Sequence, residues 1–249
     1  MSRAGARVAI VQAASLLAAL ATWEAIARAG WVDPLFVPAP SAVGRSFAAV
    51  GESALAGLAD TLGKAAAACA LSIVLGVAAG LALGSVRALD HVLHPFVVAL
   101  YGMPKILVLP WIVLLLGYGT VPAIAYGTLH GVFPVMVLVT GAVRDVDGHL
   151  LTVARSFGAR PWQLYAKVVL PAIVPTLIAA VRLGVIFCLL GVLVVEMFAG
   201  LRGMGHVMGS LANAFRAPEL FAATALVSAA SIAVVLALDV LNERLSRWR

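Results

Sequence analysis

The sequence predicts an all-α, polytopic membrane protein with six transmembrane helices and a short helical segment on the cytoplasmic side between spans four and five. Three observations predict it. The 249 residues are 63% hydrophobic and 11% charged, with mean hydropathy +1.08. A soluble domain carries about 45–50% apolar and about 25% charged residues, and a water-exposed exterior would have no room for this much apolar surface. The apolar runs are continuous rather than alternating, which selects helices over a barrel. Charges fall between runs of about 20 residues, the length that crosses the hydrocarbon as a helix. This composition excludes a soluble enzyme, a disordered chain and a nucleic-acid partner. The net charge of +6 and pI near 9.9 fit basic residues gathered at cytoplasmic span ends.

The first span covers residues 8–27, between Arg7 and Arg28, and carries only Glu24. Its basic start and Ala19-Leu20-Ala21 resemble a signal sequence, but we read the segment as an uncleaved signal anchor. The second covers 63–86, with small residues Gly76, Ala79, Gly80 and Gly84 suited to close helix packing. Residues 106–143 carry no charge, too long a run for one helix. Gly117-Tyr118-Gly119-Thr120-Val121-Pro122 reads as a turn near its middle. The third span then covers 94–116 with Lys105 inside it, and the fourth 121–143. The fifth, 171–199, opens on Pro171, a residue suited to a first helical turn, and contains Arg182 and Glu196. The sixth covers 219–241. The whole chain, 1–249, reads as one transmembrane unit.

With the N-terminus inside, ten basic residues lie on cytoplasmic parts (Arg3, Arg7, Arg87, Arg144, Arg155, Arg160, Lys167, Arg244, Arg247, Arg249) and five outside (Arg28, Arg45, Lys64, Arg202, Arg216). This bias puts both termini in the cytoplasm. The loop 144–170 is then cytoplasmic. Leu150, Val153, Ala154 and Phe157 share one face of a short helix over 149–157. Gly158 permits a sharp bend, and Pro161 starts a second short helix. Phe157, Trp162 and Tyr165 would be exposed and in need of a partner.

Here the sequence resembles a known family. Val153-Ala154-Arg155-Ser156-Phe157-Gly158-Ala159, with Val168-Val169-Leu170-Pro171, is similar to the loop signature of permeases of bacterial ATP-binding-cassette importers: E-A-A, three residues, G, about nine residues, then an apolar residue and L-P. Val37-Pro38-Ala39-Pro40-Ser41-Ala42-Val43, Met103-Pro104-Lys105 through Leu109-Pro110, Gly117-Tyr118-Gly119, and Glu196 through Gly203-Met204-Gly205 resemble the nitrate/sulfonate/taurine-type members. The resemblance implies a subunit of the bacterial inner membrane that carries a small, anionic solute. It also implies a cytoplasmic ATP-binding subunit dimer, a second permease copy forming a homodimer, an external substrate-binding protein and surrounding lipid. Thr152, Ala154, Arg155, Phe157, Gly158, Ala159 and Trp162 would then couple to the ATPase. One departure stands out: Thr152 and Val153 occupy the places of the signature's Glu and first Ala, so no ion pair forms from position 152.

The chain has no G-x-x-x-x-G-K-[ST] loop, so no cofactor is expected in it and ATP belongs to the partner subunit. Lys105, Arg182 and Glu196 are the candidates for the translocation path, since ionisable groups in spans face cavities or partners. For Arg182 a salt bridge with a neighbouring helix or bonds to freed backbone carbonyls is the plainer expectation, and Glu196 could pair with Arg202 or face the path. Cys69 and Cys188 lie in apolar runs, and no metal-ligand spacing or catalytic constellation appears. The alternative is a stand-alone secondary transporter using the three intramembrane charges as a relay.

Overall fold

The computed structural model describes residues 3–245. Arg247 and Arg249 of the orientation count, and Met1 and Ser2 of the N-terminal segment, lie outside the described residues. The helices run in the order α1 (Arg3–Arg28), α2 (Pro40–Ser85), α3 (Arg87–Gly102), a 3-10 turn (Lys105–Val108), α4 (Leu109–Leu116), α5 (Thr120–Arg144), α6 (Gly148–Ser156), α7 (Pro161–Leu164), a π-helical turn (Tyr165–Val169), α8 (Leu170–Ala199), α9 (Met204–Asn213) and α10 (Ala217–Leu245). No strand occurs among the described residues. Five helices are long and apolar enough to span a membrane, and the bent α3–α4 pair makes a sixth if read as one broken span.

Two expectations need correction. The third span is not one helix over 94–116: it breaks between α3 and the 3-10 turn with a bend of 91°. Pro104 is the cause. It has no N–H, and it forces Met103 into extended backbone (φ −65°, ψ 136°). The second span is also far longer than 63–86. Helix α2 opens at Pro40 and continues for 46 residues, because nothing between Arg45 and Lys64 breaks a helix despite its charges. Its N-cap Ala39 offers no side-chain oxygen. Glu24 of α1 supplies one instead, accepting from the Ser41 backbone N–H (2.9 Å) and from Ser41 Oγ (2.7 Å).

Helix α5 lies between α2 and α8 and is the most enclosed of the candidate spans for its length, burying Ala123, Tyr126, Val135 and Val139 among others. The α2–α5 seam is built from small against branched residues. A Cβ at Gly76 would stand 2.8 Å from Val135, at Gly80 2.7 Å from Val139, and at Gly84 2.6 Å from Val143. In lipid, apolar burial does not drive helices together, so such close van der Waals seating is what holds them. The small-residue face expected from Gly76, Gly80 and Gly84 is thus the seam itself. The N-terminal half of α2 packs differently, with Val50 and Ala54 against Met204, Leu211, Ala223 and Val227. Helix α1 stays peripheral, touching α10 through Trp23 and Phe221, whose ring centres are 5.7 Å apart.

Candidate functional site

The loop after α5 folds much as its residue pattern dictates. Asp147 caps α6, its carboxylate accepting from His149 N–H at 2.8 Å. After α6 the chain turns at Gly158, whose φ of +77° suits glycine and strains any L side chain. Pro161 opens α7, and Gln163 Oε1 accepts from the Arg160 N–H at 2.8 Å. One difference from expectation lies at Pro171. It does not start a separate helix, since α7, the π-helical turn and α8 run on without a gap. A π turn commonly marks a functional position within a helix.

The loop has two faces. Val146, Leu151 and Leu170 pack against the core cluster of Val139, Val143, Val169 and Ile173. Leu150, Val153, Phe157 and Trp162 point away, with Phe157 88% and Trp162 61% exposed. Thr152, Arg155 and Gly158 lie on this exposed side, while Ala154 and Ala159 are half-buried. The Thr152 hydroxyl donates to the Gly148 carbonyl at 2.9 Å, so this side chain is spent inside its own helix. The result is an apolar, aromatic prominence rimmed by Arg155, Arg160 and Lys167.

A second polar site was missed by sequence reasoning. Glu196, fully enclosed, meets Lys64, which is 4% exposed, at 2.9 Å. Its other oxygen accepts from Thr61 Oγ1 (2.6 Å) and from the Gly205 N–H (3.0 Å). Lys64 also donates to Asp60 (2.5 Å) and to the Arg202 carbonyl (3.0 Å), and Thr61 Oγ1 accepts from the Met204 N–H (2.7 Å). Arg202 therefore contributes its backbone, not its guanidinium. Gly203 makes the closure possible: its φ is +109°, and the Glu196 carboxylate occupies the space a Cβ would need. The network ties α2 to α8 and to the start of α9. The available signal was Asp60 and Lys64 four residues apart with Thr61 between, one helical face bearing three polar groups.

The three charges expected along the path sit in separate surroundings. Lys105 Nζ donates to the Tyr101 carbonyl at 3.0 Å and lies over the rings of Tyr101 (5.2 Å) and Phe133 (5.6 Å). Arg182 pairs with Asp239 of α10 at 3.1 Å, the neighbouring-helix salt bridge expected for it. No ion pair or hydrogen bond among the described residues joins any two of Lys105, Arg182 and Glu196. A charge relay through direct contact is therefore not built here. No group of three or more His, Cys, Asp or Glu able to hold a metal occurs among the described residues.

Residues 72–249 match the family described as binding-protein-dependent transport system inner membrane component. The chain belongs to this family. It is an inner-membrane, multi-pass transport permease of ATP-binding-cassette importers, as the loop signature and its flanking motifs led us to expect. Its relatives include the putative aliphatic sulfonates transport permease SsuC of Bacillus subtilis, 26% identical over 92% of this chain and 84% of that one. They also include the taurine transport system permease TauC of Escherichia coli, 24% identical over 94% and 88%. The riboflavin transport system permease RibX of Chloroflexus aurantiacus is 28% identical over 66% of this chain, which spans 61% of that protein's length. Among solved structures, an inward-facing MetNI methionine ABC transporter chain superposes with TM-score 0.65 at 21% identity, covering 77% of this permease and 93% of that chain. That likeness concerns the fold.

Proposed function

We propose that this permease forms the translocation path for a small anionic solute of the sulfonate, taurine or nitrate type and is driven by a separate ATPase dimer that docks on residues 149–167. Solute arrives from an external binding protein, a second copy of the chain completes the path, and both termini face the cytoplasm. The names of the sulfonate and taurine permeases support the solute class. The observation that carries the coupling role is the prominence of Leu150, Val153, Phe157 and Trp162 around Gly158. An apolar, aromatic surface of this kind on the polar side of a membrane protein marks a docking site. Thr152, Ala154, Arg155 and Ala159 frame it. The docked loop acts as a lever: closure of the ATPase shifts it as a body and biases the spans between inward-open and outward-open arrangements. Lys105, Arg182 and Glu196 are assigned to the path or its walls.

The test is co-purification with the cognate ATP-binding subunit. Wild-type chain retains the subunit through gel filtration, and Gly158→Arg loses it while its own melting temperature stays within a few degrees. An ATPase held equally well by the Gly158→Arg chain overturns the coupling assignment. Solute accumulation by this chain alone, in vesicles without ATP, overturns the importer reading.

A further inference from the structure

Three basic residues lie within the membrane-spanning stretches, Lys64 buried, Lys105 half-buried and Arg182 exposed at the bundle surface, and they are partnered differently. Lys64 meets Asp60 and Glu196, and Arg182 meets Asp239. Lys105 meets no carboxylate among the described residues; its partners are one carbonyl oxygen and two ring faces. A ring face attracts a cation through its quadrupole, and a carbonyl through its dipole. Neither carries net charge, so the amine is held in place by neutral partners and no carboxylate among the described residues offsets it. A bare charge at membrane depth is costly, and it faces a cavity, a pathway or a counter-ion.

The backbone around Lys105 points the same way. The residue sits at the 91° break between α3 and α4. Irregular backbone at this depth is tolerated where protein buries it or where it lines a watered cavity. Lys105 is half-buried and its neighbour Ile106 is exposed, so this stretch is not sealed inside the bundle. Interrupted spans are also where transporters place solute sites. On α5, His130 lies against Tyr126 with tilted rings whose centres are 4.5 Å apart. Phe133 is the α5 residue that faces the Lys105 ammonium.

We propose that Lys105, fixed by Tyr101 and Phe133 at the break in the third span, is a single-charge binding site for a transported monoanion with a compact head group such as a sulfonate. One ammonium balances one negative charge, so a monoanion fits better than a dianion, and a cation is repelled. The physiological meaning of the site rests on the importer reading above; its existence is tested without it.

The full-length chain, with Cys69→Ser, Cys188→Ser and a reporter Ile106→Cys, is placed in lipid nanodiscs. The probes are 2-sulfonatoethyl methanethiosulfonate and 2-trimethylammonioethyl methanethiosulfonate, and the readout is the ratio of their modification rates. Lys105→Gln lowers the anionic-to-cationic ratio by about tenfold, the size of effect expected for removing a unit charge a few ångströms away in a partly watered site. Lys105→Met does the same, guarding against misfolding of one variant, and Lys105→Arg keeps the wild-type ratio. Added ethanesulfonate slows the anionic reagent only where residue 105 is charged. A ratio unchanged in both neutral variants overturns the site, as does an equal fall in Lys105→Arg. No ATPase enters this measurement, so its failure leaves the docking assignment intact, and failure of ATPase capture leaves this site intact.

Discussion

At the scale of single residues, Glu196 and Phe157 show how differently two side chains serve the same molecule. Glu196 is sealed with Lys64, Thr61 and two backbone N–H or carbonyl partners nearby. Removing one member of a buried ion pair strands the other charge, at a cost of about 3–5 kcal/mol, whereas replacing both by apolar residues is far milder. Glu196→Ala and Lys64→Met should each lower the melting temperature sharply. The double variant Glu196→Leu/Lys64→Met should recover most of that loss, as measured by thermal unfolding of the purified chain. Phe157, by contrast, is 88% exposed, so it contributes little to the chain's own stability. Phe157→Ala should leave thermal unfolding unchanged and weaken ATPase binding by about tenfold or more, the range of an aromatic anchor at an interface. Titration of the ATP-binding subunit by calorimetry reads that difference directly.

At the scale of elements, the α2–α5 seam and the α8–α10 contact make separate predictions. Gly80 already leaves Val139 no spare room, and overpacking of this kind costs about 1–3 kcal/mol. Gly80→Leu should therefore destabilise the bundle, and Val139→Ala in the same chain should relieve part of the loss. The Arg182–Asp239 pair at 3.1 Å calls for a charge exchange: Arg182→Asp alone sets two carboxylates together, and Asp239→Arg added to it restores the pair. Recovery of expression and folding in the double variant, scored by fluorescence-detected gel filtration, is the expected result. These elements also show what the sequence made legible. The end of α5 at Arg144, the start of α6 near Asp147 and the bend at Gly158 follow from local signals: charge, capping and a glycine. The break at Pro104 has a local cause too, yet the apolar stretches flanking Pro104 and Lys105 are long enough together to read as one span. Length misled at α2 as well, because charges at Arg45, Glu52, Asp60 and Lys64 read as a water-exposed segment while the backbone stays helical.

At the scale of the whole molecule, composition determined the class and the loop signature determined the family, while the buried network had no such advertisement. Glu196 is more than 130 residues along the chain from Thr61 and Lys64, and only the fold brings it to them. Apolar side chains that remain uncovered, among them Trp111, Leu114 and Leu115 of α4, belong against lipid or against another copy. For the homodimer assignment, the expected outcome is two copies per particle by light scattering in detergent.

The spacing along the α2–α5 seam has a mechanical consequence. Gly76, Gly80 and Gly84 recur every four residues, as do Val135, Val139 and Val143, so the seam is a row of evenly pitched notches and teeth. Sliding one helix along the other by a fraction of a turn drives every valine onto helix backbone. Only a jump of one whole notch, about 6 Å at helical rise, would reseat the teeth, and it would leave one of them empty-handed. The seam therefore behaves as a detent. It blocks gradual slippage between the two helices, and any rearrangement of the bundle must carry α2 and α5 together as a single rigid piece.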